Sequence, residues 1–257
     1  MIALELRGVS KTYRRRRERP LGTTLKSYFL RDLWHRRDDR HEIKWALRDV
    51  DLRAEAGTTL GIIGRNGSGK STLLKVIGRI LKADAGTVIV DGKVSALIEL
   101  GAGFHPELTG RENAIISGII LGLSKAEIKA KLDEIIDFSE LQDCIHDPVR
   151  TYSSGRYMRL GFSVAVHADP EILLVDEILA VGDVEFKRKC MARMNDLQKR
   201  GTTIVFVSHD LATVLSVCDE AAWLHEGTLR MKGRAADVVD AYLNETSGGT
   251  GRAPGLP

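Results

Sequence analysis

Apolar and polar positions alternate along the chain with two different periods. Residues 2–9 and 45–52 alternate with the period of two that is typical of strands, and residues 71–81 have the helical period. Three short apolar runs have the length of buried strands; they cover residues 58–63, 172–175 and 203–207. Strand-like and helix-like segments in alternation predict an α/β domain with a mainly parallel core sheet.

The middle of the chain has a different pattern. Between residues 107 and 166 the apolar period is helical almost throughout. Thr109 and Ser124 are each followed three residues later by a glutamate, which is the signature of a capping box at a helix start. We therefore expect an all-helical lobe over about residues 104–166, inserted into the α/β core.

Charge is unevenly distributed over the 257 residues. Residues 14–48 hold twelve Lys/Arg and five Asp/Glu, a net charge of +7 against +3 for the whole chain. Most of this excess lies in residues 14–44, here called the basic insertion, between the first two predicted strands. Residues 24–34 of the insertion could form a helix with aromatic side chains beside arginines. A solvated loop and a contact with a membrane surface, a membrane protein, a phosphate-bearing substrate or nucleic acid all fit this composition.

Composition excludes several classes of protein. No apolar run approaches the roughly 20 residues of a membrane-spanning helix, and the start lacks the core of a signal peptide, so we expect a soluble, cytosolic chain. Cys144, Cys190 and Cys218 form no C-x-x-C pair, which predicts structural cysteines and neither a disulfide framework nor a zinc site. The composition of residues 247–257 is typical of a flexible tail.

A glycine-rich loop lies between a predicted strand and a predicted helix. Residues 64–71 read GRNGSGKS, which satisfies the phosphate-loop pattern G-x-x-x-x-G-K-[ST]. Glycines free the backbone N–H groups to surround phosphate oxygens, Lys70 reaches the β- and γ-phosphates, and the Ser71 hydroxyl binds Mg²⁺. The expected ATP-binding residues are Gly64, Arg65, Asn66, Gly67, Ser68, Gly69, Lys70, Ser71 and Thr72.

Polar residues end two further buried strands. Asp176 and Glu177 follow the run ILLV, where Asp176 suits a Mg²⁺ ligand and Glu177 is placed to polarise an attacking water. His209 follows the run TIVFVS and could donate a hydrogen bond to a γ-phosphate oxygen. Because ligands bind at the carboxyl ends of parallel strands, we expect these residues beside the phosphate loop.

The sequence resembles the nucleotide-binding subunit of an ABC transporter. The resemblance rests on Lys70, Asp176, Glu177 and His209 in this order, with YSSGR at residues 152–156, and it covers residues 1 to about 245. It implies one ABC ATPase domain over residues 1–246, with an N-terminal antiparallel β portion and the helical lobe. It also implies hydrolysis of ATP with Mg²⁺ as cofactor, a homodimer of ATPase subunits and a pair of membrane permease subunits as partners.

Family motifs assign further roles by resemblance. The segment YSSGR stands where the family usually has LSGGQ, which implies that Ser153, Ser154 and Gly155 bind ATP held by the other subunit. Tyr13 stands at the position of the aromatic residue that stacks on adenine, with Trp45 as the alternative. Asp183 ends LAVGD where SALD is usual and corresponds to the D-loop aspartate. Glu99 stands near the glutamine that contributes to the Mg²⁺ site.

A narrower resemblance concerns the cargo. The run GAGFHPELTGREN at residues 101–113, with YSSG and ILAVGD, is similar to ATPases that export lipid-linked polysaccharides such as O antigen, capsule or teichoic acid. Such a subunit is peripheral, on the cytoplasmic face of the inner membrane. Some members carry a C-terminal carbohydrate-binding domain, which we do not expect within a sequence that runs to Pro257. An ABC ATPase for a lipid or drug, and a soluble ABC ATPase acting on nucleic acid or ribosomes, are the alternatives; we expect no nucleic acid partner.

Overall fold

The computed structural model describes residues 1–15, 42–97, 103–176 and 183–247. The strands are β1 (Ile2–Arg15), β2 (Glu42–Glu55), β3 (Thr59–Ile63), β4 (Ala85–Val90), β5 (Val94–Ala96), β6 (Ile172–Val175), β7 (Thr203–Val207), β8 (Glu220–His225) and β9 (Thr228–Arg234). The helices are α1 (Lys70–Ile77), α2 (Gly110–Ile120), α3 (Lys125–Ser139), α4 (Ser154–Val166), α5 (Val184–Lys199), α6 (Leu211–Val217) and α7 (Ala235–Ser247), with a 3-10 turn at Val149–Thr151. None of the helices within these ranges is long and apolar enough to cross a membrane.

The core sheet confirms the predicted α/β class. Its order is β5-β6-β7-β3-β8-β9, in which neighbours from β5 to β8 are parallel and β9 returns antiparallel to β8. Alternate side chains of the buried strands enter two separate apolar clusters: Leu174 packs in one, and Leu173 and Val175 pack in the other. Burial on both faces explains why β3, β6 and β7 are continuous apolar runs.

A smaller antiparallel sheet of order β2-β1-β4 covers one side of the core. It confirms the antiparallel N-terminal portion, although the sequence did not predict the mostly exposed β4. Arg14 pairs with Ile43 and Arg15 with Glu42, so the two strands extend into both ends of the basic insertion. The rest of the insertion, residues 16–41, and the predicted tail from residue 248 lie outside the described residues.

The helical lobe has an apolar core of its own. It is built mainly by α2, α3 and α4, and its buried residues form a third cluster, separate from the two clusters that cover the core sheet. Both predicted capping boxes are present, with Thr109 bonded to Glu112 and Ser124 bonded to Glu127. A Cβ added to Gly118 would lie 2.4 Å from Ile128 Cδ1, so glycine permits the close approach of α2 to α3.

The three cysteines are buried and free, as expected for structural residues. Burial raises the pKa of Cys190 to about 12, and burial together with the nearby Asp219 charge raises the pKa of Cys218 to about 12. A thiol that stays protonated at neutral pH is a poor nucleophile and a poor metal ligand.

Candidate functional site

Three neighbouring parallel strands deliver the predicted site residues to one edge of the core sheet. Gly64 follows β3, Asp176 follows β6, and Ser208 and His209 follow β7, which lies between β6 and β3. The carboxyl ends of adjacent parallel strands meet at the same edge. The sheet order therefore brings together residues that lie far apart in the sequence.

The phosphate loop is held by close approaches of backbone. A Cβ on Gly64 would lie 2.2 Å from the Leu224 carbonyl oxygen, and one on Gly69 would lie 2.4 Å from the Ala46 carbonyl oxygen. Gly69 also has φ +107, whereas Gly67 has φ +79 with no atom within 4 Å of its Cβ position. Two glycines are thus required by space, and Gly67 by backbone conformation alone.

The β8–β9 hairpin supports this loop, a role that was not predicted from the sequence. The Gly227 N–H donates to the Ser68 carbonyl at 2.9 Å, and the Gly227 carbonyl accepts from the Arg48 N–H at 2.8 Å. Glu226 and Gly227 have φ 48 and 80, as a tight hairpin turn requires. Glu-Gly between the apolar run AAWL and the alternating segment TLRMK was the available sequence signal.

Lys70 is buried inside the loop. Its Nζ donates to the carbonyl oxygens of Gly64 at 2.8 Å and Arg65 at 3.1 Å, and the residue is 7% exposed. Burial lowers the pKa of Lys70, while the charge of Asp176 acts to raise it. Within the described part of the chain the buried Ser68 hydroxyl makes no hydrogen bond. A buried cation and an unpaired hydroxyl in one glycine loop fit an anionic ligand.

Ser71 and Asp176 are the two described residues that were predicted to bind Mg²⁺. Their side chains are hydrogen-bonded, although Ser71 lies in the first turn of α1 and Asp176 follows β6. Half-burial raises the pKa of Asp176; the hydroxyl of Ser71 and the charges of Lys70 and Lys75 oppose this rise. A hydroxyl and a carboxylate are hard donors that suit Mg²⁺, which usually takes few protein ligands and completes its shell with phosphates and water. The described residues contain no cluster of three or more His, Cys, Asp or Glu that could hold a metal.

The other loop residues and His209 are accessible from solvent. Arg65, Asn66 and Gly67 are exposed, and Thr72 is half-buried in the first turn of α1. His209 is exposed at the sheet edge, after the buried Ser208 whose Oγ accepts from the Asp210 N–H at 3.0 Å. Glu99 and Glu177 lie outside the described residues, so their roles stay predictions.

The YSSGR segment begins a helix, as predicted. Ser153 caps α4 by accepting a hydrogen bond from the Arg156 N–H at 3.3 Å, and the first turn contains the exposed Ser154 and the half-buried Gly155. No neighbour lies closer than 3.9 Å to a Cβ placed on Gly155. The helix N-terminus is therefore accessible to an anion, but it belongs to the helical lobe and not to the sheet edge.

Two departures from the family pattern have local structural explanations. The Tyr152 hydroxyl donates to the Cys144 carbonyl at 2.7 Å and would lie 2.2 Å from a Cβ on Gly110, so the tyrosine packs tightly against the start of α2. Arg156 forms an exposed ion pair with Asp143 at 3.3 Å. Both side chains therefore make their contacts within the helical lobe.

The two candidate adenine-stacking residues are on opposite faces of one strand pair. Thr12 pairs with Trp45 and Tyr13 with Lys44, and directly opposed residues share a face. Tyr13 is 43% exposed and Trp45 is 48% exposed, so both rings are accessible. Asp183 caps α5, accepting a hydrogen bond from the Phe186 N–H at 2.8 Å.

Comparison with known proteins assigns the chain to a family. The model of the ABC transporter family matches residues 47–180, more than half of the chain, and the chain therefore belongs to this family. It is 52% identical to the O-antigen export system ATP-binding protein of Myxococcus xanthus, over 96% of this chain and 57% of that protein. It is 45% identical to the corresponding protein of Klebsiella pneumoniae, over 77% of this chain and 80% of that protein.

A relative named for teichoic acid export has a similar identity. The chain is 46% identical to the teichoic acids export ATP-binding protein of Levilactobacillus brevis, over 79% of this chain and 56% of that protein. It therefore spans little more than half the length of two of these three relatives.

Solved structures confirm the fold. A dimeric ATP-binding cassette with bound ADP and Pi superposes with a TM-score of 0.71 at 24% identity, covering 90% of this chain and 98% of that chain. The ATP-binding subunit of an ABC transporter superposes with a TM-score of 0.73 at 22% identity, covering 98% and 95% of the two chains. The chain thus has the fold of an ABC cassette.

Proposed function

We propose that this chain is the ATP-hydrolysing subunit of an ABC transporter that exports a lipid-linked polysaccharide, such as O antigen, capsule or a teichoic-acid-like glycan. The hydrogen bond between Ser71 and Asp176, beside Lys70 in the phosphate loop, carries the ATPase assignment. The cargo assignment is supported by similarity to O-antigen and teichoic acid export proteins over most of the chain.

Binding of the ATP phosphates relies on the loop and on Lys70. The Lys70 ammonium donates to the carbonyls of Gly64 and Arg65, inside the loop. A triphosphate offers this buried cation stronger, charge-assisted acceptors than two neutral carbonyls. It also gives the Ser68 hydroxyl a hydrogen-bond partner. The favourable exchange of partners drives binding.

Hydrolysis uses residues that follow β6 and β7. Glu177 orients the attacking water and accepts its proton, and His209 donates a hydrogen bond to a γ-phosphate oxygen. Ser71 and Asp176, together with Glu99, would hold Mg²⁺. When bound, Mg²⁺ offsets the negative charge of the phosphates. Lys70 and His209 stabilise the charge that develops on the transferred phosphoryl group.

Two copies of the chain complete each site. Ser153, Ser154 and Gly155 at the exposed N-terminus of α4 bind the γ-phosphate of ATP held by the other subunit. The dimeric cassettes with the same fold support this homodimer. ATP binding then closes the dimer, and hydrolysis with phosphate release opens it.

Integral-membrane permease subunits are the partners that this cycle drives. The ATPase subunit associates with them at the cytoplasmic face of the inner membrane, and the lipid-linked glycan is carried by the permease. Export ATP-binding proteins among the relatives support this arrangement.

ATPase measurements on the assembled transporter test the proposal. The chain would be purified with its membrane subunits in lipid vesicles and assayed with lipid-linked glycan, with the lipid carrier alone and with an unrelated lipid. We expect ATP turnover to rise severalfold with the lipid-linked glycan only. Equal stimulation by the unrelated lipid would contradict polysaccharide as the cargo.

A further inference from the structure

An ion-pair network joins the helical lobe to the helix that begins after β6. Arg159 of α4 donates through Nη1 to Glu140 Oε2, and through Nη2 to Asp183 Oδ2 at 2.7 Å. The other oxygen of Glu140 accepts from Lys189 Nζ at 3.1 Å. Because Lys189 lies in α5 and Asp183 is its N-cap residue, the network links this helix to α3 and α4.

The Arg159 side chain is fixed by packing as well as by charge. It is 16% exposed, and its guanidinium carbon lies 4.5 Å from the centroid of the Phe186 ring. Phe186 in turn packs against Phe162 of α4, with ring centroids 6.3 Å apart. A planar group that donates to two carboxylates while stacked on a ring requires arginine, since an ammonium has no such geometry.

Both carboxylates are at helix ends. Glu140 closes α3 in the left-handed conformation, with φ 58. Asp183 caps α5 through Oδ1, which leaves Oδ2 for Arg159. The Phe186 N–H and the positive charge of Arg159 keep the pKa of Asp183 below its usual range, so the carboxylate is charged at neutral pH. The network therefore connects the middle of α4 to the N-cap residue of α5.

We propose that Arg159 is a positioning residue that makes α4 and the start of α5 move as one unit. The inference rests on the proposed function, because Ser153, Ser154 and Gly155 open α4 and Asp183 follows Asp176 by seven residues. Engagement of α4 by nucleotide on the other subunit is then transmitted through Arg159 to Asp183, at the N-terminus of α5. Such coupling requires a physical link between the two elements, which the ion pair supplies.

Two conservative substitutions distinguish a positioning role of Arg159 from a general effect on the stability of the fold. Asp183→Asn keeps a residue that caps helices well and removes the ion pair with Arg159. Arg159→Lys keeps the positive charge and loses the planar geometry. Glu107→Gln is the matched control, because it removes an exposed ion pair with Arg150, at 3.1 Å, in the same lobe.

Hydrogen exchange of the nucleotide-free protein tests the link directly. We expect Asp183→Asn to increase the exchange rate of the amides of residues 157–162 in α4 at least about threefold, although the substitution is in α5. Arg159→Lys should increase the exchange rate of the amides of residues 186–189 in α5 to the same extent. Glu107→Gln should change the exchange rate of neither segment. Exchange that increases only in the substituted helix overturns the proposal, whatever the ATPase rate.

Steady-state kinetics test the consequence. We expect each of the two variants to lower kcat for ATP about three- to tenfold and to change KM less than twofold. The double variant should be no slower than the slower single variant, because both remove one interaction. If the fold-reductions in kcat of the two single variants multiply in the double variant, the proposal is overturned. If hydrogen exchange shows the expected effect across the two helices but the wild-type chain does not hydrolyse ATP, the proposed function is refuted and the link between α4 and α5 stands.

Discussion

The Ser71 hydroxyl and the Asp176 carboxylate form a hydrogen bond across the edge of the core sheet. Ser71 is positioned by the glycine loop after β3, and Asp176 by the end of β6, with β7 between the two strands. Half-burial of the Asp176 carboxylate is the energetic cost of this arrangement.

This cost predicts the effect of Asp176→Asn on the nucleotide-free protein. A raised pKa means that folding favours the protonated carboxyl, so its contribution to stability is complete below the ordinary aspartate pKa and is lost as pH rises through the raised value. We expect the neutral amide to raise Tm at pH 7 and to have a smaller effect near pH 4. Mg²⁺-dependent ATP binding should weaken at the same time. A lower Tm at pH 7 would show that the charge stabilises the fold.

Lys70→Ala tests the ligand of the phosphate loop. Removal of the buried ammonium eliminates charge-assisted hydrogen bonds to the phosphates, so we expect ATP affinity to fall about 10- to 100-fold. Calorimetric titration with ATP measures the change. Lys125→Ala, an exposed lysine at the start of α3, is the control and should bind ATP normally. Unchanged affinity in the Lys70 variant would remove Lys70 from the site.

The two loop glycines Gly67 and Gly69 should respond differently to alanine. Both have positive φ, which costs about 1 kcal/mol or slightly more for alanine. Only at Gly69 does the added Cβ also meet a backbone carbonyl, that of Ala46, so Gly69→Ala should cost more than about 2 kcal/mol. Urea denaturation of the nucleotide-free variants measures both values. Equal costs would contradict the close contact with β2.

Tyr13 and Trp45 can be distinguished by paired substitutions. Their rings are on opposite faces of the β1–β2 pair, so one adenine cannot stack on both. We expect Tyr13→Ala to raise the Kd for ATP about tenfold, Tyr13→Phe to restore it and Trp45→Ala to change it less than twofold. Fluorescent ATP analogues measure the affinity. The reverse ranking would assign adenine stacking to Trp45.

The sequence predicts the buried strands and the helix starts, but not the exposed strand or the long-range contacts that support the phosphate loop. Strands buried on both faces, such as β6 and β7, are recognisable as apolar runs, and the capping boxes at Thr109 and Ser124 mark helix starts through local hydrogen bonds. The mostly exposed β4 lacks such a pattern, because its partner β1 supplies the pairing. The contact of Gly227 with Ser68 depends on the position of a hairpin far along the chain, which no local pattern encodes.

The long-range ion pairs could not be predicted from the sequence either. Arg159 follows the signature segment closely, but its partners Glu140 and Asp183 lie on different helices, and their proximity results from the packing of three helices. The register of β1 and β2 could not be predicted for the same reason. Tyr13 and Lys44 are opposed only because the two strands pair on both sides of residues 16–41. The spacing of residues in the sequence predicts neither the ion pairs of Arg159 nor the pairing of Tyr13 with Lys44.

ATP turnover by Glu177→Gln tests the central claim most directly. Glutamine keeps the size of the side chain but cannot accept a proton from the attacking water. The account predicts that this variant binds Mg-ATP with wild-type affinity, hydrolyses it at least about 100-fold more slowly and sediments as an ATP-dependent dimer. Turnover at the wild-type rate would contradict the claim that this edge of the sheet hydrolyses ATP through Glu177.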